Sequence, residues 1–154
     1  MKVKFLVFSF FILVSNFGFT QATDLPEWVN GFTEYIGLSS SQLQNRFTGR
    51  NIERLSNGNI QIQEFPTQAS GSIFSFNSEG NVNRWLIVFS SGGDAVLANA
   101  MFERLINQFT IAYGNPGFLS TDIEKFWMGR VMPASTLMVE LDRQRNVVVV
   151  VFAR

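Results

Sequence analysis

Two pairs of acids, Asp122 with Glu124 and Glu140 with Asp142, come nearest in type and spacing to chemistry in this chain. Two residues apart on a strand, both carboxylates of a pair share one face, as an acid–base glycosidase or an oxygen-ligand cation site requires. Each pair also has a plainer role. Asp122 stands before a strand and Asp142 at the start of a hairpin turn, where acids are ordinary and solvated. The chain contains no histidine and no cysteine, which removes the commonest general base, the usual transition-metal ligands and any disulfide. Serines abound, but with Lys125 as the only base of unusual placement a serine nucleophile has little to activate it. Ser90-Ser91-Gly92-Gly93 ahead of a helix suggests a phosphate cradle, yet it lacks the glycine spacing and lysine of a P-loop, and Asp94 would repel an anion there. It reads as a loop and a helix cap. No enzyme, cofactor or metal site is expected, and an Asp/Glu-based secreted hydrolase is the third choice of function.

The elements that must hold these residues are organised by one segment, Gly92 to Pro116. Asp94 is a good N-cap for a long helix, since its carboxylate accepts from first-turn amides and faces the positive end of the helix dipole. Ala98, Met101, Phe102, Leu105, Phe109, Ala112 and Tyr113 recur every three or four residues and so form one stripe. Glu103, Arg104, Asn107, Gln108 and Thr110 fall mostly on the wet side. Gly114 and Pro116 end the helix. One stripe implies one sheet beneath it.

Residues 1–22 have the layout of a secretory signal peptide: Lys2 and Lys4, a short apolar run, and small residues near Ala22. The run is short and interrupted for a membrane span, so no stable membrane insertion is expected after cleavage, and the protein is placed in the periplasm or outside the cell. Without that segment the formal charge is 10 basic against 12 acidic residues, with no footprint for nucleic acid or anionic lipid. Residues 23–154 are then a usual size for one domain.

Along that domain, Leu25 to Gly37 carries Trp28, Phe32 and Ile36 at helical spacing after Pro26, and Ser39 to Gly49 holds a short helix with Leu43 and Phe47 paired. Strands are predicted over Asn59–Phe65, Ser72–Asn77, Val82–Phe89, Glu124–Arg130, Leu137–Asp142 and Asn146–Arg154, with turns at Ser78–Asn81 and Arg143–Arg145. Thr67 to Ser72 reads as a loop, and Pro133 as a break. The helix-ending glycines Gly49 and Gly114 are separated by the same interval as the turn asparagines Asn81 and Asn146, since 114 − 49 = 146 − 81 = 65. Two landmarks of different kind at one offset suggest two tandem units, about 37–91 and 92–154, each a helix followed by three strands. The expected fold is α+β, with about six antiparallel strands and helices on one face.

Gly37-Leu38-Ser39, with Gln42-Leu43 ahead of Gly49 and strands beyond, resembles the start of the small bacterial outer-membrane assembly lipoproteins. The tandem form of that unit resembles the β-lactamase inhibitor protein fold, and Tyr113-Gly114-Asn115-Pro116 before Trp127 is similar again. The resemblance implies a sheet that grips a protein partner. The chain lacks the lipidated cysteine and the disulfides of those families.

Apolar residues favour the same function. Val82–Phe89 is apolar on both faces but for Arg84 interrupting one, and Val147–Phe152 is apolar on both without interruption, whereas a sheet with helices on one side and water on the other should alternate. Either both are central strands whose second face is covered by a loop or the N-terminal helix, or the sheet carries an uncovered apolar patch for a protein partner or a second copy; the patch would hold Arg84, Leu86, Val88, Met138 and Glu140, with the strand from Trp127 to Arg130 at its border. A carrier of a small apolar ligand between sheet and helix is the alternative.

Overall fold

The computed structural model describes residues 34–66, 68–131 and 134–154. The signal peptide predicted over residues 1–22, the helix predicted on Pro26, Trp28 and Phe32, the loop start predicted at Thr67 and the break predicted at Pro133 lie outside the described residues. Glu34 begins a single turn that ends at Gly37.

The short helix α1 is Ser40–Arg46. Ser39 caps it reciprocally, since its hydroxyl accepts from the Gln42 amide while the Gln42 side chain accepts from the Ser39 amide. Four strands follow, β1 Ile52–Arg54, β2 Ile60–Gln63, β3 Gly71–Phe76 and β4 Val82–Ser90. The long helix α2, Ala95–Tyr113, starts where expected, with the Asp94 carboxylate accepting from the amides of Val96 and Leu97. It ends at Gly114, whose φ of +81° suits a residue without a Cβ. The last strands are β5 Glu124–Met128, β6 Thr136–Asp142 and β7 Val147–Ala153.

All seven strands form one antiparallel sheet in the order β1-β2-β3-β4-β7-β6-β5. The sheet thus has seven strands where six are expected. The extra one, β1, has three residues and a single apolar side chain, so no alternation marks it. Its signal was the Asn57-Gly58 dipeptide, a strong hairpin marker, with Ile60 beyond it. Leu55 N–H donates to the Asn59 carbonyl across that turn. β7, the most apolar strand, is central, flanked by β4 and β6. There its backbone groups are paired on both sides and it offers no edge for aggregation.

Residues directly opposite in a ladder share a face. One face therefore carries Ile60, Phe74, Trp85, Phe152, Leu137 and Trp127 in one row, all buried. Both helices pack here. Phe47, at the end of α1, lies 5.9 Å from the Phe74 ring, and Phe109 of α2 contacts the rings of Trp127 at 5.7 Å and Phe152 at 6.4 Å. Ala98, Phe102, Leu105 and Phe109 form the buried stripe of α2, joined by Gln108, which its spacing of three from Leu105 turns inward. Glu103, Arg104 and Asn107 are exposed as expected, whereas Ala112 is exposed at the end of the stripe.

The interval between Gly49 and Gly114 recurs in the ladders. Phe74 faces Trp85 in β3–β4 as Val139 faces Val150 in β6–β7, and Ile60 faces Phe74 as Lys125 faces Val139, each second pair being the first moved along by that interval. The hairpin turns agree at the capping residue and its first donor but not at the second donor. Asn77 Oδ1 accepts from the amides of Glu79 and Asn81, and Asp142 Oδ1, one interval further on, accepts from those of Gln144 and Arg145. Leu86 of β4 pairs with Val151 of β7, two residues separated by that same interval.

The Asp142 turn has a pH consequence. The Arg145 amide, foremost, holds the carboxyl below its ordinary range, with the Arg145 guanidinium and the Gln144 amide assisting. A group with a depressed folded pKa contributes stability above its unfolded pKa and loses it as pH falls through the folded value. Stability is expected to decline as pH drops below the ordinary carboxyl range. In Asp142→Asn this part of the decline should be missing, as urea titrations at pH 3 to 5 would read.

Candidate functional site: the open face of the sheet

The opposite face is built by the alternate residues of the same strands. Its middle row runs Gln61, Ile73, Leu86, Val151, Met138 and Phe126 across β2, β3, β4, β7, β6 and β5. A second row, on one side, carries Gln63, Gly71, Val88, Val149, Glu140 and Glu124. A third, on the other, carries Ser75, Arg84, Ala153, Thr136 and Met128. No described helix or strand lies over these rows. Most of their apolar members are partly exposed, though Val151, between Leu86 and Met138, is only 5 % exposed. Gly71 lies beside Gln63 of the neighbouring β2, and a Cβ there would meet the Ile62 carbonyl oxygen at 3.1 Å.

Of the seven residues singled out from the sequence, Arg84, Leu86, Val88, Met138 and Glu140 stand together on this face. Trp127 does not. It is 1 % exposed on the helix side, where its indole N–H donates to the Gly114 carbonyl at 2.7 Å. The border placement of Trp127 is therefore corrected: adjacent strand residues point to opposite sides, and Phe126 and Met128 hold the open positions. Arg130 follows β5 and is exposed, with its guanidinium donating to the carbonyls of Tyr113 and Asn115. There it caps the negative end of α2.

The residues the sequence reading passed over are Ile73, Phe126, Met128, Val149 and Val151 on the strands, and Phe118 and Leu119 in the loop before β5. The unbroken apolar run of β7 already implied the two valines. Phe118 and Leu119 had no periodicity to reveal them. Phe118 is 95 % exposed and Met128 61 %, and both line a cleft of about 110 Å3 with Leu119 and Phe126. The apolar row thus continues around the β5 edge. That edge is closed to strand addition over Glu124 to Phe126. The Glu124 and Phe126 amides donate to the hydroxyls of Thr121 and Ser120, and their carbonyls accept from the amides of Thr121 and Gly117.

Charge on the face is sparse and asymmetric. Glu124 and Glu140 face each other across β5 and β6, an arrangement in which like charges repel. The two ion pairs among the described residues, Arg46–Glu34 and Arg145–Asp142, involve neither of these glutamates nor Arg84. Asp142 is committed to its turn. No group of three acids able to hold a metal occurs among the described residues. A roomier depression of about 380 Å3 lies elsewhere, lined by Asn77, Glu79, Asn81, Asn83 and Arg154, a polar set unlike the apolar site a greasy ligand needs. Compared with known proteins, the chain matches no family model, no curated protein and no solved structure.

Proposed function

We propose that this is an exported, non-catalytic protein-binding domain whose open sheet face is the docking surface. The observation that carries this reading is the apolar row Ile73, Leu86, Val151, Met138 and Phe126, which crosses five strands without a described covering element. Four strand spacings make it roughly 19 Å long. Such contiguous apolar surface, rimmed by Gln61, Arg84, Glu124 and Glu140, is what protein interfaces present. Export rests on the layout of residues 1–22. Among the described residues no helix is long and apolar enough to cross a membrane.

The same proposal includes duplication of one helix-and-meander unit. It is supported by ladders that repeat at one interval up to the register shift after Ser75, by the turn caps Asn77 and Asp142, and by the ends of both units. The Ser39 cap of α1 bridges to Asn81, and Ser91 and Gly93, before α2, hydrogen-bond to Asn146. The likeness to the tandem inhibitor fold belongs to this reading, with β1 as an addition to the first unit.

Affinity capture from the envelope or culture fluid of the source cells tests the docking surface. Leu86→Asp is expected to lose the partners that the unchanged protein retains, while Val96→Asp, on the exposed start of α2, keeps them. A folded Leu86→Asp protein that keeps every partner defeats the proposal.

A further inference from the structure

The charges on the open face are placed so that the face complements itself. Arg84 and Glu140 stand diagonally about Val151. From Val151 to Arg84 is one strand across and two residues along, and to Glu140 the same steps in the opposite sense. With about 4.8 Å between strands and 3.4 Å per residue, the two Cα positions are roughly 17 Å apart with Val151 midway. A two-fold axis lying in the face through Val151, perpendicular to that diagonal, lays each Arg84 over the Glu140 of the other copy. Glu124, directly beside Glu140, adds a second carboxylate within reach of the same guanidinium.

We propose that the occupant of this face is a second copy of the chain, docked face to face about that axis, with two reciprocal Arg84–Glu140 pairs flanking a dry centre. This rests on the docking role of the face proposed above. The rest of the face fits the operation. In the idealised grid it sets Leu86 over Val149 and Ile73 over Val88 of the second copy, so apolar side chains meet apolar ones. Gly71 and Met128 fall on the axis itself, with Gly71 leaving room for close approach and each Met128 facing its twin. The sheets then cross steeply, within the orthogonal class of sheet packing. Self-complementarity of this kind is what an isologous interface demands. The arrangement also resolves the Glu124–Glu140 repulsion, which no cation among the described residues relieves.

Sedimentation of the purified protein tests the proposal. The unchanged protein is expected to be dimeric, Arg84→Glu and Glu140→Arg each to raise the dimer dissociation constant at least about tenfold, and the double variant to return within roughly threefold of the original. Arg104→Glu, on the outer side of α2, should change nothing. Should a charge variant fail to fold, a single cysteine supplies an independent reading, because the chain has none of its own. Met128→Cys is expected to oxidise to a disulfide-linked dimer, and Val96→Cys to remain monomeric on the same timescale. A monomer at 100 µM, a dimer whose charge swap does not restore affinity, or Met128→Cys linking no faster than Val96→Cys would each overturn it. A monomer whose Leu86→Asp variant still loses its partners would refute the second copy and leave the docking role standing.

Discussion

Aspartate in place of Ile87 is expected to leave the protein unfolded, whereas aspartate in place of Leu86, one residue earlier, is expected to leave it folded. Ile87 is fully buried on the helix-covered face, in a row with Ile62, Ser72, Val150 and Val139. Its replacement removes a packed side chain, worth about 2–5 kcal/mol, and buries a carboxylate that has the Ser72 hydroxyl opposite it but no cation to pair it, which costs several kcal/mol more. Together these approach the about 5–15 kcal/mol that holds a domain of this size. Leu86 lies on the open face, partly exposed, where the new carboxylate keeps contact with water. The cost there should be about 1 kcal/mol, the span of strand propensities. Circular dichroism and urea titration of the two variants check the contrast. Equal loss of structure in both would mean that the Leu86 side of the sheet is packed as tightly as the Ile87 side, and the docking surface would vanish with the difference.

Trp85→Ala should be the most damaging truncation of a single aromatic side chain, at about 3–5 kcal/mol. Its ring is stacked on Phe74 at 5.3 Å and Phe152 at 5.7 Å, with Phe65 at 5.8 Å and the edge of Tyr35 at 5.1 Å. Removing it leaves a hole where β3, β4 and β7 meet the 34–36 turn and the Phe65 loop, and rings held at both faces cannot all collapse into it. The urea midpoint should fall by the amount that about 3–5 kcal/mol corresponds to at an unchanged m-value, while Trp85→Phe recovers much of the loss. A drop of under about 1 kcal/mol would mean that the aromatic stack is not what holds β3, β4 and β7 together.

Most of the elements were legible along the chain because their physics is local. The α2 helix has a carboxylate at its start, a stripe at 3.6 spacing and a glycine at its end. The hairpins announce themselves by turn residues between runs of alternating side chains. Only β1 escaped, since three residues with one isoleucine carry no period. The common interval was visible from Gly49, Gly114, Asn81 and Asn146, but the ladder registers that lend support to the proposed duplication are contacts between strands, which no stretch of sequence displays.

The candidate site divides in the same way. Residue order alone determined that β7 is apolar on both sides and β4 nearly so, that the chain has no histidine or cysteine to work with, and that Leu86, Val88 and Arg84 share a side with one another. Only the tertiary structure decided which side the helices cover, because strand parity assigns neighbours to opposite faces without saying which face is wet. That choice is made by Phe47 and Phe109, which carry both helices onto the Trp85 side. It buries Trp127, leaves Phe126 and Met128 outward, and brings Glu124 opposite Glu140. Pairing across a sheet depends on register, and register is settled by the whole core at once rather than by any stretch of chain.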